Sequence, residues 1–177
     1  NSMVNWYRAD DAFYYYKVAQ NVLAGHGFTF DQVNLSNGFH PLWMVVCLGV
    51  FWLSRFHLLL PLRILIIISG LLNGATGVLL FRLLRKYLHP AAAVLGASVW
   101  MLLPSIYHDH IVHGMESALS ALLIVWLLSK SVEIMQANDR RPVSLLLLGL
   151  LGALTILSRL DTVFIVAAIG VFVVFRI

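Results

Sequence analysis

The sequence predicts an all-α, polytopic membrane protein with about five to six hydrophobic helices and one amphipathic helix lying on the surface. Three observations predict it. Apolar side chains make up 60% of the chain and charged ones 11%, with a mean hydropathy of +0.88, whereas a soluble globule is nearer about half apolar. Runs approaching the roughly 20 apolar residues that span a hydrocarbon core recur with short polar breaks. Polar chemistry is instead concentrated in one stretch, Arg8 to Trp43, which carries paired carboxylates and glycine turns.

At helical spacing, Asp10, Tyr14, Lys17 and Asn21 fall on one face and Ala12, Tyr15, Ala19, Val22 and Leu23 on the other, which predicts a short amphipathic helix on the membrane. Gly25 and Gly27 stop it, Phe28 to Val33 reads as extended, and Ser36-Asn37-Gly38 turns the chain so that His40-Pro41 opens a hydrophobic helix. That segment continues to Phe56, short for a full span. Leu62 to Leu84 is a long one, and its small residues Ser69-Gly70 and Gly74-Ala75-Thr76-Gly77 suit close helix packing. Ala91 to Tyr107 follows, with Pro104 near its end. A helix opened by Gly114-Met115-Glu116-Ser117 runs to about Lys130 and on through Ser131 to Ala137. Val143 to Leu157 and Val163 to Phe175 form a last hairpin around the tip Ser158 to Thr162.

The net charge of +4 comes from Lys and Arg near helix ends, which implies membrane anchoring and no nucleic-acid partner. Cys47 is the single cysteine, so an internal disulfide and a cysteine metal cluster are excluded. Asn1 to Tyr7 has neither a basic leader nor an apolar core, and the last apolar helix stops at its first basic residue. The chain therefore reads as a fragment at both ends.

The positive-inside rule puts Arg82, Arg85, Lys86, Lys130, Arg140, Arg141 and Arg176 in the cytoplasm, and His108 to Glu116 with Arg159 and Asp161 outside. The Asp10-Asp11 helix joins that outer face only if Pro41 to Leu84 makes one net crossing, although it holds two apolar segments. Either one of them is half-length and stacked on its neighbour, which we favour, or the Arg82 loop is an exception to the charge rule. Residues 1–40 then form an extracytoplasmic loop carrying the surface helix, and residues 41–177 a transmembrane helical domain.

Asp10 and Asp11 have two readings. Aspartate at a helix start caps the helix and suits its dipole; adjacent carboxylates at a membrane surface also supply a general base and a pole for a divalent cation. Glu116 is either a first-turn glutamate favoured by the dipole or a functional charge at the mouth of an apolar helix. Arg159 and Asp161 form a local ion pair, or the arginine grips a phosphate. His108, Asp109, His110 and His113 have ligand chemistry, but their spacing is weak as a metal signal against interfacial histidines. Tyr14, Tyr15 and Tyr16 with Trp6 and Trp43 suit a headgroup aromatic belt, and Lys17 a snorkelling cation.

The stretches DDAFYYYKVAQNVLAGHGFTF, NGFHPLW, GMES and SRLD resemble, in order, the membrane glycosyltransferases of the GT-C superfamily. The likeness is to bacterial polyprenyl-phosphate-sugar-dependent members, the mannosyl- and arabinofuranosyltransferase-like group. The resemblance implies a multispan helical fold in the cytoplasmic membrane whose first extracytoplasmic loop carries surface helices and an acidic catalytic motif. It implies transfer of a sugar from a polyprenyl phosphate to a glycan, lipid or protein acceptor of the cell envelope, with inversion. Asp10 matches the first acidic position and would be the general base; Asp11 would orient the acceptor or help hold a divalent cation. Arg159, His40 and Lys17, in that order, are candidates to stabilise the lipid phosphate. Asn37 and Glu116 would bond sugar hydroxyls, and Tyr14 and Asp161 join the substrate-binding set by position. Family members begin with a membrane helix ahead of the acidic loop and continue through further spans. A competing reading is therefore a non-catalytic structural membrane subunit of a larger complex that inherited the scaffold. A transporter ranks third, because no paired inverted repeat is visible.

Overall fold

The computed structural model describes residues 10–54, 57, 59–107 and 113–176, and for Asp10 and Tyr107 the backbone alone. Trp6, Arg55, His108, Asp109 and His110 lie outside the described residues. Within them the chain is all-helical: α1 (Asp10–Leu23), α2 (Pro41–Ser54), α3 (Leu60–Leu84), α4 (Pro90–Leu102), α5 (Pro104–Tyr107), α6 (Ser117–Ala137), α7 (Pro142–Ser158), a 3-10 turn (Leu160–Thr162) and α8 (Val163–Arg176).

Proline sets the helix starts. Each of Pro41, Pro61, Pro90, Pro104 and Pro142 stands at the first or second residue of a helix, where its missing N–H has no partner to lose. Pro104 also divides the expected Ala91 to Tyr107 segment. The residue before a proline is pushed out of the helical region, and Leu103 is extended at φ −65°, ψ 121°. At the other ends, Gly25 (φ 87°) and Gly27 (φ 69°) close α1, and Asn138 (φ 46°) closes α6 in the left-handed conformation.

Two helices, α3 with 25 residues and α6 with 21, are long and apolar enough to cross a membrane. They run parallel. Near their starts Leu65, Met115 and Leu119 pack into one cluster with α1 and α2, while beyond the α3 end Lys86 bonds Glu133 at 3.4 Å and Tyr87 accepts from Gln136 at 3.2 Å. α4 returns antiparallel to α3, fixed where Trp100 Nε1 donates to buried Asn73 Oδ1 at 3.0 Å. Leu123 and Leu127 of α6 meet Leu151 of α7 in a second cluster.

The first cluster is where the sequence most underrated packing. Ala12, Tyr15, Tyr16, Val18 and Ala19 of α1 press against Trp43, Met44, Cys47, Val50 and Phe51 of α2. Trp43 is fully buried and donates Nε1–H to Gly114 O at 3.2 Å, so it is no headgroup anchor. Tyr15 and Tyr16 are buried too. An apolar ring with one polar tip is stable inside when that tip finds a partner.

Two other expectations change. Asn21 is buried instead of sharing the polar face: its Nδ2 donates to the carbonyls of Thr29 (2.8 Å) and Phe30 (3.0 Å). Phe28 to Val33 is accordingly a compact loop and not an extended run. It is closed by a single Thr29–Leu35 bridge and by Asp31, whose Oδ1 accepts the backbone N–H groups of Val33 (2.9 Å) and Asn34 (2.7 Å). The small residues of α3 also divide. A methyl on Gly77 would stand 2.6 Å from Met101 Sδ of α4, whereas Gly70 and Gly74 face open space.

Candidate functional site

Glu116 is the centre of the polar chemistry. It stands at the start of α6, yet its side chain makes no capping bond there. It is 3% exposed and turns toward α1: the Tyr15 hydroxyl donates to Oε2 at 3.1 Å, and His40 Nε2 lies 3.5 Å from Oε1. The Tyr15 hydroxyl also accepts the His40 backbone N–H at 2.9 Å, so one oxygen ties α1, the residue before α2 and the start of α6 together. A buried carboxylate costs several kcal/mol unless its oxygens find partners; Tyr15 supplies a hydrogen bond and the His40 ring stands beside the other oxygen. Burial, opposed by the His40 N–H and reinforced by Glu116, pushes the Tyr15 phenol well above its usual range, so it stays a donor.

The turn ahead of Glu116 is shaped for this. Gly114 takes φ 64°, and its carbonyl accepts from both Tyr16 (3.2 Å) and Trp43 (3.2 Å). The Gly-Met-Glu motif is thus a buried docking point for the first two helices.

Around this group opens a cleft of about 480 Å³ lined by Asp11, Tyr14, Tyr15, Gly38, His40, Met115 and Glu116. Asp11 is exposed at its edge. Tyr14 is half-buried and stacks on Phe30 with ring centroids 5.4 Å apart. His40 Nδ1 is buried without a hydrogen-bond partner among the described residues.

A second cleft of about 580 Å³ is lined by Ser117, the residue after Glu116, with Trp100, Ile124, Val125, Ile165, Arg159 and Asp161. Arg159 forks onto Asp161, Nη2 to Oδ2 at 2.8 Å and Nε to Oδ1 at 3.2 Å. Asp161 holds the guanidinium further up, Glu116 and Tyr15 adding to it, and Arg159 holds the Asp161 carboxyl below its usual range, His40 adding to that. The α7–α8 tip therefore lies within electrostatic reach of the Tyr15–His40–Glu116 group.

Of the candidates read from the sequence, Asp11, Tyr14, His40 and Glu116 share one cleft, and Arg159 and Asp161 line the next. Asp10 opens α1, its side chain lying outside the described residues. Lys17 and Asn37 are exposed and line neither cleft. Among the described residues no three His, Cys, Asp or Glu side chains are grouped to hold a metal ion, and the carboxylates that line the cleft are those of Asp11 and Glu116. Tyr15, the residue that joins the site, was not among the sequence candidates. Comparison with protein-family models, with curated proteins and with solved structures returned no match.

Proposed function

We propose that this chain is an integral membrane glycosyltransferase of the GT-C type, moving a sugar with inversion from a polyprenyl-phosphate donor to an extracytoplasmic glycan, lipid or protein acceptor. The observation that carries the reading is a pair of clefts lined by the successive residues Glu116 and Ser117. One gathers Asp11, Tyr14, His40 and Glu116; the other is walled by apolar side chains and carries the Arg159–Asp161 ion pair. A lipid-linked sugar has the same division. Its isoprenoid chain suits the wall formed by Ile124, Val125 and Ile165, its phosphate suits Arg159, and its sugar suits the side occupied by Asp11, Tyr14, His40 and Glu116.

In this mechanism Asp10, adjacent to Asp11 on the first turn of α1, takes the acceptor proton as the hydroxyl attacks the anomeric carbon. The bond to the lipid phosphate breaks on the opposite face, and Arg159 offsets the charge left on that phosphate. Positioning and fixed charge then carry most of the acceleration. Glu116 holds His40 and bonds sugar hydroxyls, with Lys17 and Asn37 at the approaches. No step is assigned to a cation; Asp11 is its candidate ligand.

The membrane setting is part of the proposal. Large apolar side chains face outward along the helices, among them Leu71 (69% exposed), Leu95 (67%) and Phe164 (79%), a surface that water would penalise and lipid would not. With α3, α4, α6, α7 and α8 crossing, α2 is the element set apart by its packing and not by its 14-residue length. It packs at the end where α3 and α6 both start, so Pro41 to Leu84 makes one net crossing. The clefts then share the extracytoplasmic face and the basic ends share the cytoplasm of a bacterial inner membrane.

The test is turnover of a polyprenyl-phosphate sugar series by membranes carrying the wild type or Asp10→Asn. Loss of a general base lowers turnover by about 100-fold or more. Equal turnover in the variant removes Asp10 as base, and no turnover by either, together with stoichiometric copurifying chains, favours the structural subunit.

A further inference from the structure

The seam between α6 and α7 carries a separate groove toward the end of the bundle away from the clefts. It encloses about 630 Å³. Trp126, Leu147, Leu150 and Leu154 wall its length, and Lys130 and Arg141 line it together with Glu133 and Asp139. There the loop from Ala137 to Arg141 adds a hollow of about 470 Å³ that includes Arg140. The loop is anchored on both sides: Asn138 ends α6, Pro142 starts α7, and Asp139 accepts from Ser144 Oγ at 2.6 Å and from Arg141 Nη2 at 2.8 Å.

Charge at this end is unbalanced. Lys86 and Lys130 share Glu133, at 3.4 and 2.8 Å, and Arg141 takes Asp139. Arg140 is exposed and has no ion pair among the described residues. In the lining of the groove and its hollow, Lys130, Arg140 and Arg141 thus meet Glu133 and Asp139, a surplus of one positive charge beside an apolar wall.

We propose that this groove binds an anionic glycerophospholipid, its phosphate among Arg140, Arg141 and Lys130 and one acyl chain along Trp126, Leu147, Leu150 and Leu154. A zwitterionic lipid would leave the surplus positive charge unanswered, and a soluble phosphate would leave the apolar wall bare. An anionic amphiphile answers both. The site uses the membrane setting but not the transferase reading, so it stands or falls independently of turnover.

Native mass spectrometry of the full 177-residue chain in detergent tests it, titrating phosphatidylglycerol against phosphatidylcholine of the same chains, with glycerol phosphate as the chainless probe. The wild type should retain phosphatidylglycerol preferentially. Arg140→Gln, which breaks no contact, should weaken that retention about fivefold, and Lys130→Gln/Arg140→Gln/Arg141→Gln about a hundredfold, with phosphatidylcholine unchanged. Leu150→Trp, which fills the wall and spares the charges, should weaken both lipids. Equal retention of the two lipids by the wild type, an unchanged preference in Arg140→Gln, or glycerol phosphate binding as tightly as the lipid would each overturn the proposal.

Discussion

Tyr15→Phe removes one oxygen and leaves the ring that fills the α1–α2 core, so its effect isolates the polar link. Two bonds go with that oxygen, the donor to Glu116 Oε2 at 3.1 Å and the acceptor for the His40 N–H at 2.9 Å. A bond to a charged group contributes about 1.5–3 kcal/mol and a neutral one about 0.5–1.5 kcal/mol, so the expected loss is about 2–4 kcal/mol. Tyr16→Phe, which gives up a donor to a carbonyl that Trp43 also serves, should lose about 1 kcal/mol. Tyr14→Phe, at the open edge of the cleft, should change stability by less than about 0.5 kcal/mol. Equilibrium unfolding of the three variants in mixed micelles measures the order. The pH dependence adds a sign. Because the Tyr15 phenol is raised above 10.0, its contribution is complete below pH 10 and falls as pH rises further, so the gap between wild type and Tyr15→Phe should narrow above pH 10. If Tyr15→Phe loses no more than Tyr16→Phe, or the gap is flat to pH 12, the hydroxyl does not join the three elements.

Three further outcomes follow from particular contacts. Gly77→Val should destabilise by about 1–3 kcal/mol through Met101 and regain part of it with Met101→Ala, whereas Gly74→Ala, facing open space, should gain about 0.5–1 kcal/mol; thermal unfolding in detergent reads both. Arg159→Gln should lower stability by no more than about 1 kcal/mol, since its pair with Asp161 is largely exposed, while lowering sugar-transfer turnover at least tenfold if the guanidinium meets the lipid phosphate. The amides of Asn34 and Val33 hold the Asp31 carboxyl down to about 2. The loop order it supports should be complete above about pH 3.8 and lost as pH falls through about 2, read by carbon NMR of that carboxylate, and Asp31→Ala should lack the transition.

Much of the helical plan was legible because proline and glycine act locally. Pro41, Pro90 and the pair Gly25 and Gly27 mark helix ends without reference to any neighbour, whereas Pro104, placed near the end of one expected segment, divides it. Glu116 was legible as a site residue for a similar reason: a carboxylate at the mouth of an apolar helix is out of place unless something holds it. Its partners were not legible, since Tyr15 is 101 residues away and an aromatic near a membrane has an ordinary explanation as a headgroup anchor. Yet a usable signal was present. Tyr15 falls on the stripe with Ala12 and Ala19, and a phenol on a buried stripe needs an acceptor. Tyr14 and Tyr15 are adjacent in sequence, but a helix turns about 100° per residue, so Tyr15 is buried on the core stripe while Tyr14 is half-buried. Reading the tyrosine run by helical phase instead of composition would have set a buried acceptor as the missing partner. Glu116, the carboxylate followed directly by a long apolar helix, would have been the first to try.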